Sequence, residues 1–407
     1  MNDKKAIVLG GTSPHVSLIK KLQNRGYYVI LIDYLENPPA KEIADEHILE
    51  STLNLEGVLE IAKKINPSLV ISTSIDQANV TACYVSEKLK LPIPYSYQIA
   101  LDVTDKNRMK EIFVKSDIPT SPYIEIDSYD QSILNKLKFP LVVKPSDSTG
   151  SKGVVKVENE SEIIFYLNEA LKISRNNKAI IEEFIEGNEY QVDFFVDKKK
   201  QVSQIMSREK INLSLGQKTE LQNIGSHFPE DLSQIEIELL KIANKIVEVF
   251  KLSNTPFFIQ FILSNGQISV LEFAVRIGGG LSYSIIHRVT GFDILEATID
   301  SFLGRDVDIS ISDNYFTYAT RLLYSESGKF EKIEGYEELL KCQIIEEFYL
   351  FKKKGDALNG TFQSGSRVAA VLFKAKTKDN LEKKIKTAMK KLKVVSSCGE
   401  DLLIRSN

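Results

Sequence analysis

The chain has 407 residues, of which 43% are hydrophobic and 26% charged, and its net charge is −3. That length supports two or three domains with sizeable cores, and the near-neutral balance excludes an electrostatic footprint for nucleic acid or an anionic membrane. Cys83, Cys342 and Cys398 are scattered, and His15, His47, His227 and His287 make no HExxH or zinc spacing. Cys83 falls in an amphipathic run and reads as a buried thiol. No stretch of about 18 apolar residues could span a membrane, and no signal peptide precedes the first strand, so a reducing cytoplasm is the expected compartment.

Residues 1–100 alternate strand and helix. Ala6–Leu9, Tyr28–Ile32 and Leu69–Ser72 read as strands, and Val16–Asn24, Leu55–Ile65 and Ile75–Leu89 as helices. Such βαβ alternation predicts a parallel, doubly wound sheet. Gly10-Gly11-Thr12 follows the first strand, but GxGxxG is not met, which argues against a dinucleotide site. Gly10–Ser13 is kept as a candidate substrate loop. Pro92-Ile93-Pro94 closes this region, and a helix is expected over 106–116.

In Phe139–Val155, the β-type run Leu141-Val142-Val143 delivers Lys144, and Pro145 is expected to end pairing. Ser146 to Gly153 is a loop of small residues, and Val154–Val157 is a second β run. The loop therefore joins two strands and opens no helix, unlike a P-loop. Its backbone N–H groups and hydroxyls suit polyphosphate oxygens, with Gly150 and Gly153 permitting close approach. No apolar side chain anchors it, so a mobile lid is expected.

Ala179–Phe195, AIIEEFIEGNEYQVDFF, offers a backbone edge at Glu183-Phe184-Ile185 for an adenine ring. Glu182 is placed to accept from its exocyclic amine and Glu189 from ribose hydroxyls. Phe257–Gly280 then gives two alternating strands about Ser264-Asn265-Gly266, a hairpin signal that sets Gln260 near Glu272. Arg276 and three glycines follow. Beyond 306, strand runs at Thr317–Tyr324 and Arg367–Ala375 accompany a basic amphipathic helix, Asn380–Leu392.

These segments, together with DKNRMKEIF at 105–113 and VTGFDILEATID after the glycines, resemble the ATP-grasp enzymes. The branch includes biotin carboxylase, carbamoyl-phosphate synthetase, glycinamide ribonucleotide synthetase and the L-amino-acid ligases. The resemblance implies an α/β ATP-grasp fold with a Rossmann-like domain at 1–100, an ATP-grasp domain at 101–305 with its lid at about 120–190, and a C-terminal α+β domain at 306–407. It implies ATP with Mg²⁺ or Mn²⁺, and small-molecule carboxylate and amine substrates joined through an acyl phosphate. A homodimer is the family analogy.

Residue by residue, the resemblance puts Lys106 and Lys144 on the α- and β-phosphates and Ser148, Thr149, Gly150, Ser151 and Gly153 over the β/γ end. Glu182, Glu183, Phe184, Ile185 and Glu189 complete the nucleotide set. Gln260 and Glu272 are the metal ligands, and Arg276 and Arg321 the catalytic cations. Arg208, Lys210 and Lys218 fall in the expected acceptor segment. Two positions depart from the family: Gln260 stands where relatives carry glutamate, and Ala274 where they carry asparagine. Both changes weaken one of two usual metal sites. A glycinamide ribonucleotide synthetase-like enzyme and a nucleotide-binding regulatory protein are the alternatives.

Overall fold

The computed structural model describes residues 4–130, 136–148, 153–213, 222–312, 314–362 and 364–405. Its first sheet contains β1 (Lys5–Leu9), β2 (Tyr28–Asp33), β3 (Glu46–Leu49) and β4 (Leu69–Ile71), all parallel, in the order β3-β2-β1-β4. Strands β1, β2 and β4 are near-continuous apolar runs because helices cover both faces. These helices are α1 (Ser13–Asn24), α2 (Leu55–Ile65) and α3 (Asp76–Leu89). The strand order reverses between β1 and β4, so the loops after both strands open a crevice at one edge. Ile299 and Phe302 from far along the chain enter this core.

Two short helices follow, α4 (Tyr97–Thr104) and α5 (Lys106–Lys115). Ser96 caps the first and Asp105 the second, each side chain accepting from first-turn N–H groups. A second sheet, ordered β5-β8-β6-β7, comprises β5 (Tyr123–Ile126), β6 (Leu141–Pro145), β7 (Val155–Val157) and β8 (Ala179–Glu183). Helix α6 (Glu160–Ile173) packs beside it. The β6–β7 pair is the antiparallel hairpin expected around the small-residue loop. Pairing runs one residue further than expected: Pro145 ends β6 opposite Ala179, at a strand terminus where its missing N–H is tolerated.

The third sheet has eight strands, ordered β13-β12-β9-β10-β11-β14-β18-β16. It begins with β9 (Asn188–Val196), β10 (Val202–Leu213) and β11 (Gln222–Phe228), followed by α7 (Glu236–Val249). The hairpin of β12 (Thr255–Ser264) and β13 (Gln267–Ala274) forms one edge, turning at Asn265 (φ 50°) and Gly266 (φ 79°). Both central φ values are positive, as a two-residue Asn-Gly turn requires. Helices α8 (Ser282–Thr290) and α9 (Ile294–Phe302) come next. The sheet then runs on through β14 (Thr317–Leu323), so it crosses the boundary expected at 305/306. A last group contains β15 (Ser327–Glu334), α10 (Tyr336–Lys341), β16 (Glu347–Leu350), β17 (Ala357–Asn359), β18 (Ala369–Ala375), α11 (Lys378–Lys391) and β19 (Lys393–Ser396). Strands β15, β17 and β19 make a small separate sheet. Among the described residues no helix is long and apolar enough to cross a membrane.

Candidate active site

A cleft of about 1840 Å³ lies where the three larger sheets meet. The second sheet contributes Val142, Lys144, Ser148, Lys156 and Glu182 to Ile185. The large sheet contributes Glu189, Gln191, Arg208, Lys210, Gln260 and Glu272, and the first domain Thr12, Ser13 and Ser74 to Gln77 from the loops after β1 and β4 and the helix starts that follow them. Gly278 to Gly280 line it too, and a Cβ on Gly279 or Gly280 would meet nothing within 4 Å.

The cleft's charges are organised around two carboxylates. Glu182 on β8 is 4% exposed. One of its oxygens lies 2.5 Å from Lys144 Nζ and the other 2.5 Å from Lys110 Nζ, with Ser121 Oγ donating at 2.9 Å. Burial alone would raise this carboxyl, but the two ammoniums outweigh it and hold it well below the usual carboxylate range. Lys110 is 1% exposed, and burial drives its ammonium down to about 8 in spite of Glu182. The adenine expectation for Glu182 therefore meets a carboxylate engaged by two cations and a hydroxyl, which orders Lys144.

Glu272 on β13 accepts from Lys106 Nζ at 3.2 Å. Burial opposes its charge, but Lys106, Lys210 and Lys144 bring the carboxyl down to about 2. Gln260 is its cross-strand partner. The Gln260 Nε2 donates to Glu189 at 3.2 Å, leaving the amide oxygen as an acceptor. Glu189 also receives Lys210 Nζ at 2.5 Å and Asn212 Nδ2 at 2.7 Å. The ribose-binding expectation for Glu189 therefore meets a carboxylate already tied to the neighbouring strands. Glu272 and the amide oxygen of Gln260, paired across β12 and β13, are hard oxygen donors of the kind that one divalent cation of the Mg²⁺ type takes. Ala274 adds no donor.

The edge expected for adenine is partly used by the fold. The Glu183 N–H donates to the Pro122 carbonyl and the Phe184 N–H to that of Pro140, while Glu183 Oε1 accepts from the Lys138 N–H. Lys156 Nζ sits 4.3 Å from the centre of the Phe184 ring. Gly153 has φ +75° and packs against Pro145 and Ile173. Thr149, Gly150, Ser151 and Lys218 lie outside the described residues.

Arg276 lines the cleft, but its carboxylate partner comes from the first sheet. Its Nε and Nη2 reach the two oxygens of Asp76 at 2.6 Å each, a bidentate pair, and Nη1 donates to the Ile277 carbonyl. Arg208, 6% exposed, pairs with Asp193 at 2.5 Å and with Ser282 Oγ at 2.9 Å.

Arg321 is a correction. On β14, Thr320 and Leu322 face the cleft, so Arg321 faces the other side of the sheet. There it meets His227 Nε2 at 2.8 Å and lies 3.9 Å from Glu382 of α11. Glu209, His227 and Glu230 have metal-ligand spacing on that face. Lys378 pairs with Glu230, and Arg321 already holds His227, so the group reads as an ion-pair cluster.

Sequence reasoning missed Lys110, although it stands four residues after Lys106 and therefore on the same side of α5. It also missed Asp76 and Arg367, which reach the cleft from regions distant in the chain.

Residues 103–280 match the family model described as an ATP-grasp domain, so this part of the chain is an ATP-grasp domain. Residues 321–397 match that of L-amino acid ligase C-terminal domain 2. The chain is 23% identical over 372 residues to the multifunctional protein ura1 of Schizosaccharomyces pombe, covering 84% of this chain but 16% of that one. It is 21% identical over 335 residues to an L-arginine-specific L-amino acid ligase of Bacillus subtilis, covering 81% and 80%. The L-amino acid ligase structure from Bacillus licheniformis superposes with a TM-score of 0.81 at 18% identity, over 98% of this chain and 100% of that one.

Proposed function

We propose that this protein is an ATP-dependent carboxylate–amine ligase that forms a C–N bond and releases ADP and phosphate. The reading rests on one observation: Lys106, Lys144, Glu272, Gln260, Arg276 and the glycine run all line a single cleft beneath the β6–β7 hairpin. The match to an L-amino acid ligase C-terminal domain and the similarity to whole-length ligases support it.

A carboxylate is a poor electrophile. In the proposed reaction its oxygen attacks the γ-phosphorus of ATP, ADP leaves, and an acyl phosphate forms. The amine then attacks the acyl carbon, phosphate leaves, and the amine loses a proton. Holding several anions together is the main difficulty, and positioned cations answer it. Lys144, fixed by Glu182, and Lys106 bind phosphate oxygens. Arg276 holds the transferred phosphoryl group. Glu272 and Gln260, with Glu189 beside them, would hold Mg²⁺, which neutralises phosphate charge when bound. The second sheet acts as the lid. Small-molecule carboxylate and amine substrates are the partners.

ADP release measured across paired amino acids tests the reading. Glu272→Gln is expected to lower turnover by about 10²–10³-fold, the scale for losing a key electrostatic group. Full activity in that variant would remove Glu272 from the metal site. Nucleotide binding without turnover on any pair would favour a regulatory protein over a ligase.

A further inference from the structure

The far wall of the cleft, built by the C-terminal residues, carries cations that the nucleotide chemistry leaves unused. Lys352, Lys353 and Arg367 line it beside apolar Leu322, Leu350 and Ala370. The Phe351 N–H donates to the Val368 carbonyl, and continuing that antiparallel register sets Lys352 opposite Arg367. Like charges placed directly opposite each other are unfavourable. Even so, among the described residues neither has a carboxylate partner. Glu346 and Glu347 of the adjoining strand are taken by Arg288, and Glu331 by Lys354. Three carboxylates deeper in the cleft are held by other cations: Asp76 by Arg276, Glu189 by Lys210 and Glu272 by Lys106.

Both cations are nevertheless held in place. Arg367 Nε donates to Tyr324 Oη at 3.0 Å. Tyr324 is 2% exposed, lies at a tilt against Phe362, and its hydroxyl donates to the Asn223 carbonyl at 3.3 Å. The Nη groups of Arg367 have no protein acceptor among the described residues. Lys352 Nζ donates to the Gly365 carbonyl at 3.0 Å, which fixes it two residues from Arg367. A guanidinium fixed through Nε, with its Nη groups uncommitted, is preorganised for bidentate capture of an anion.

We infer that this wall is an anion subsite, and that one of the two joined substrates carries a second acidic group, a side-chain carboxylate being the closest match to the fork of Arg367. The identity of that ligand as a substrate rests on the ligase reading; the subsite itself does not. ADP release is measured with glutamate against glutamine, aspartate against asparagine, and phosphoserine against serine, each offered with a panel of second amino acids. The wild type is expected to prefer the acidic member by about 10–100-fold in kcat/KM, the scale of one or two charged hydrogen bonds. Arg367→Met and Lys352→Gln should each shrink that ratio by about tenfold or more. Lys354→Gln, outside the cleft, should leave it unchanged. A preference confined to phosphoserine identifies the anion as phosphate and upholds the subsite. Equal use of neutral and acidic members, or a ratio untouched by Arg367→Met, overturns it. Should no pair turn over, calorimetry with a non-hydrolysable ATP analogue decides the matter separately. Acid binding that is lost in Arg367→Met upholds the subsite while the ligase reading falls; absence of acid binding to the wild type overturns the subsite.

Discussion

A single buried carboxylate, Glu182, organises the charge where the second sheet meets the cleft. Glu182 links helix α5, through Lys110, to strand β6, through Lys144. Its removal would leave two buried ammoniums with no counter-charge, which is far costlier than losing an exposed pair. Glu182→Gln is therefore expected to destabilise the protein by about 3–5 kcal/mol in urea unfolding. A loss below about 1 kcal/mol would mean that water, not Glu182, compensates the lysines. The sign of the pH effect follows from the depressed carboxyls. Glu182 and Glu272 both ionise more readily in the folded chain than in the unfolded one. Their contribution is present above the unfolded carboxylate range, near pH 4.5, and disappears as pH falls through the folded values, about 2 for Glu272.

The elements show where sequence reasoning reaches and where it stops. The β12–β13 hairpin, the parallel first sheet and the pairing of β6 with β7 were legible, because periodicity and turn residues are local signals. Gly187 is needed for close approach: a Cβ there would lie 2.4 Å from the Leu263 carbonyl oxygen. The side of Arg321 was not legible. Strand β14 has covered residues on both faces, so alternation alone could not say which face meets the cleft. Register shifts after Gln260 and after Ile211 add to that ambiguity. The turn between β1 and α1 likewise hides its main device. His15 is fully buried, with Nδ1 at 2.9 Å from Thr12 Oγ1 and Nε2 at 3.3 Å from Ser72 Oγ. Burial lowers its pKa to about 3. Between that value and 6.5 the unfolded chain binds a proton that the folded chain refuses, so stability falls as pH falls. Over most of that window His15 should contribute a slope of about 1.4 kcal/mol per pH unit. In His15→Gln, unfolding free energies measured from pH 4 to 6.5 should show a slope shallower by that amount. An unchanged slope would place the acid sensitivity elsewhere.

At the scale of the whole molecule, charge pairs join the first sheet to the ATP-grasp region at two places. On one side, Lys21 of α1 and Arg25 just after it meet Asp293, Glu296 and Asp300 around α9, pairs that are partly exposed and therefore individually weak. On the other, Asp76 begins α3 immediately after the loop that follows β4, and its carboxylate fixes Arg276 in the cleft. The two side chains are 16% and 15% exposed, so water screens this pair far less. Tyr95 Oη donates to the Val275 carbonyl at 2.9 Å, which anchors the backbone on the same side independently of the ion pair. Asp76 thus has a positioning role that the sequence could not reveal, since the partners stand 200 residues apart. Asp76→Asn keeps the size and one acceptor but loses the bidentate charge. Under the ligase reading it should lower kcat by about 10–100-fold, the cost of a small misplacement of a phosphoryl-binding cation, with a smaller change in the KM for ATP. Thermal unfolding should shift by only a few degrees, because Tyr95 and the α1–α9 pairs still hold the domains together. Asp76→Glu, which restores the charge, should recover part of the turnover. Equal losses of kcat and thermal stability, with no recovery in Asp76→Glu, would reduce the pair to a structural clamp.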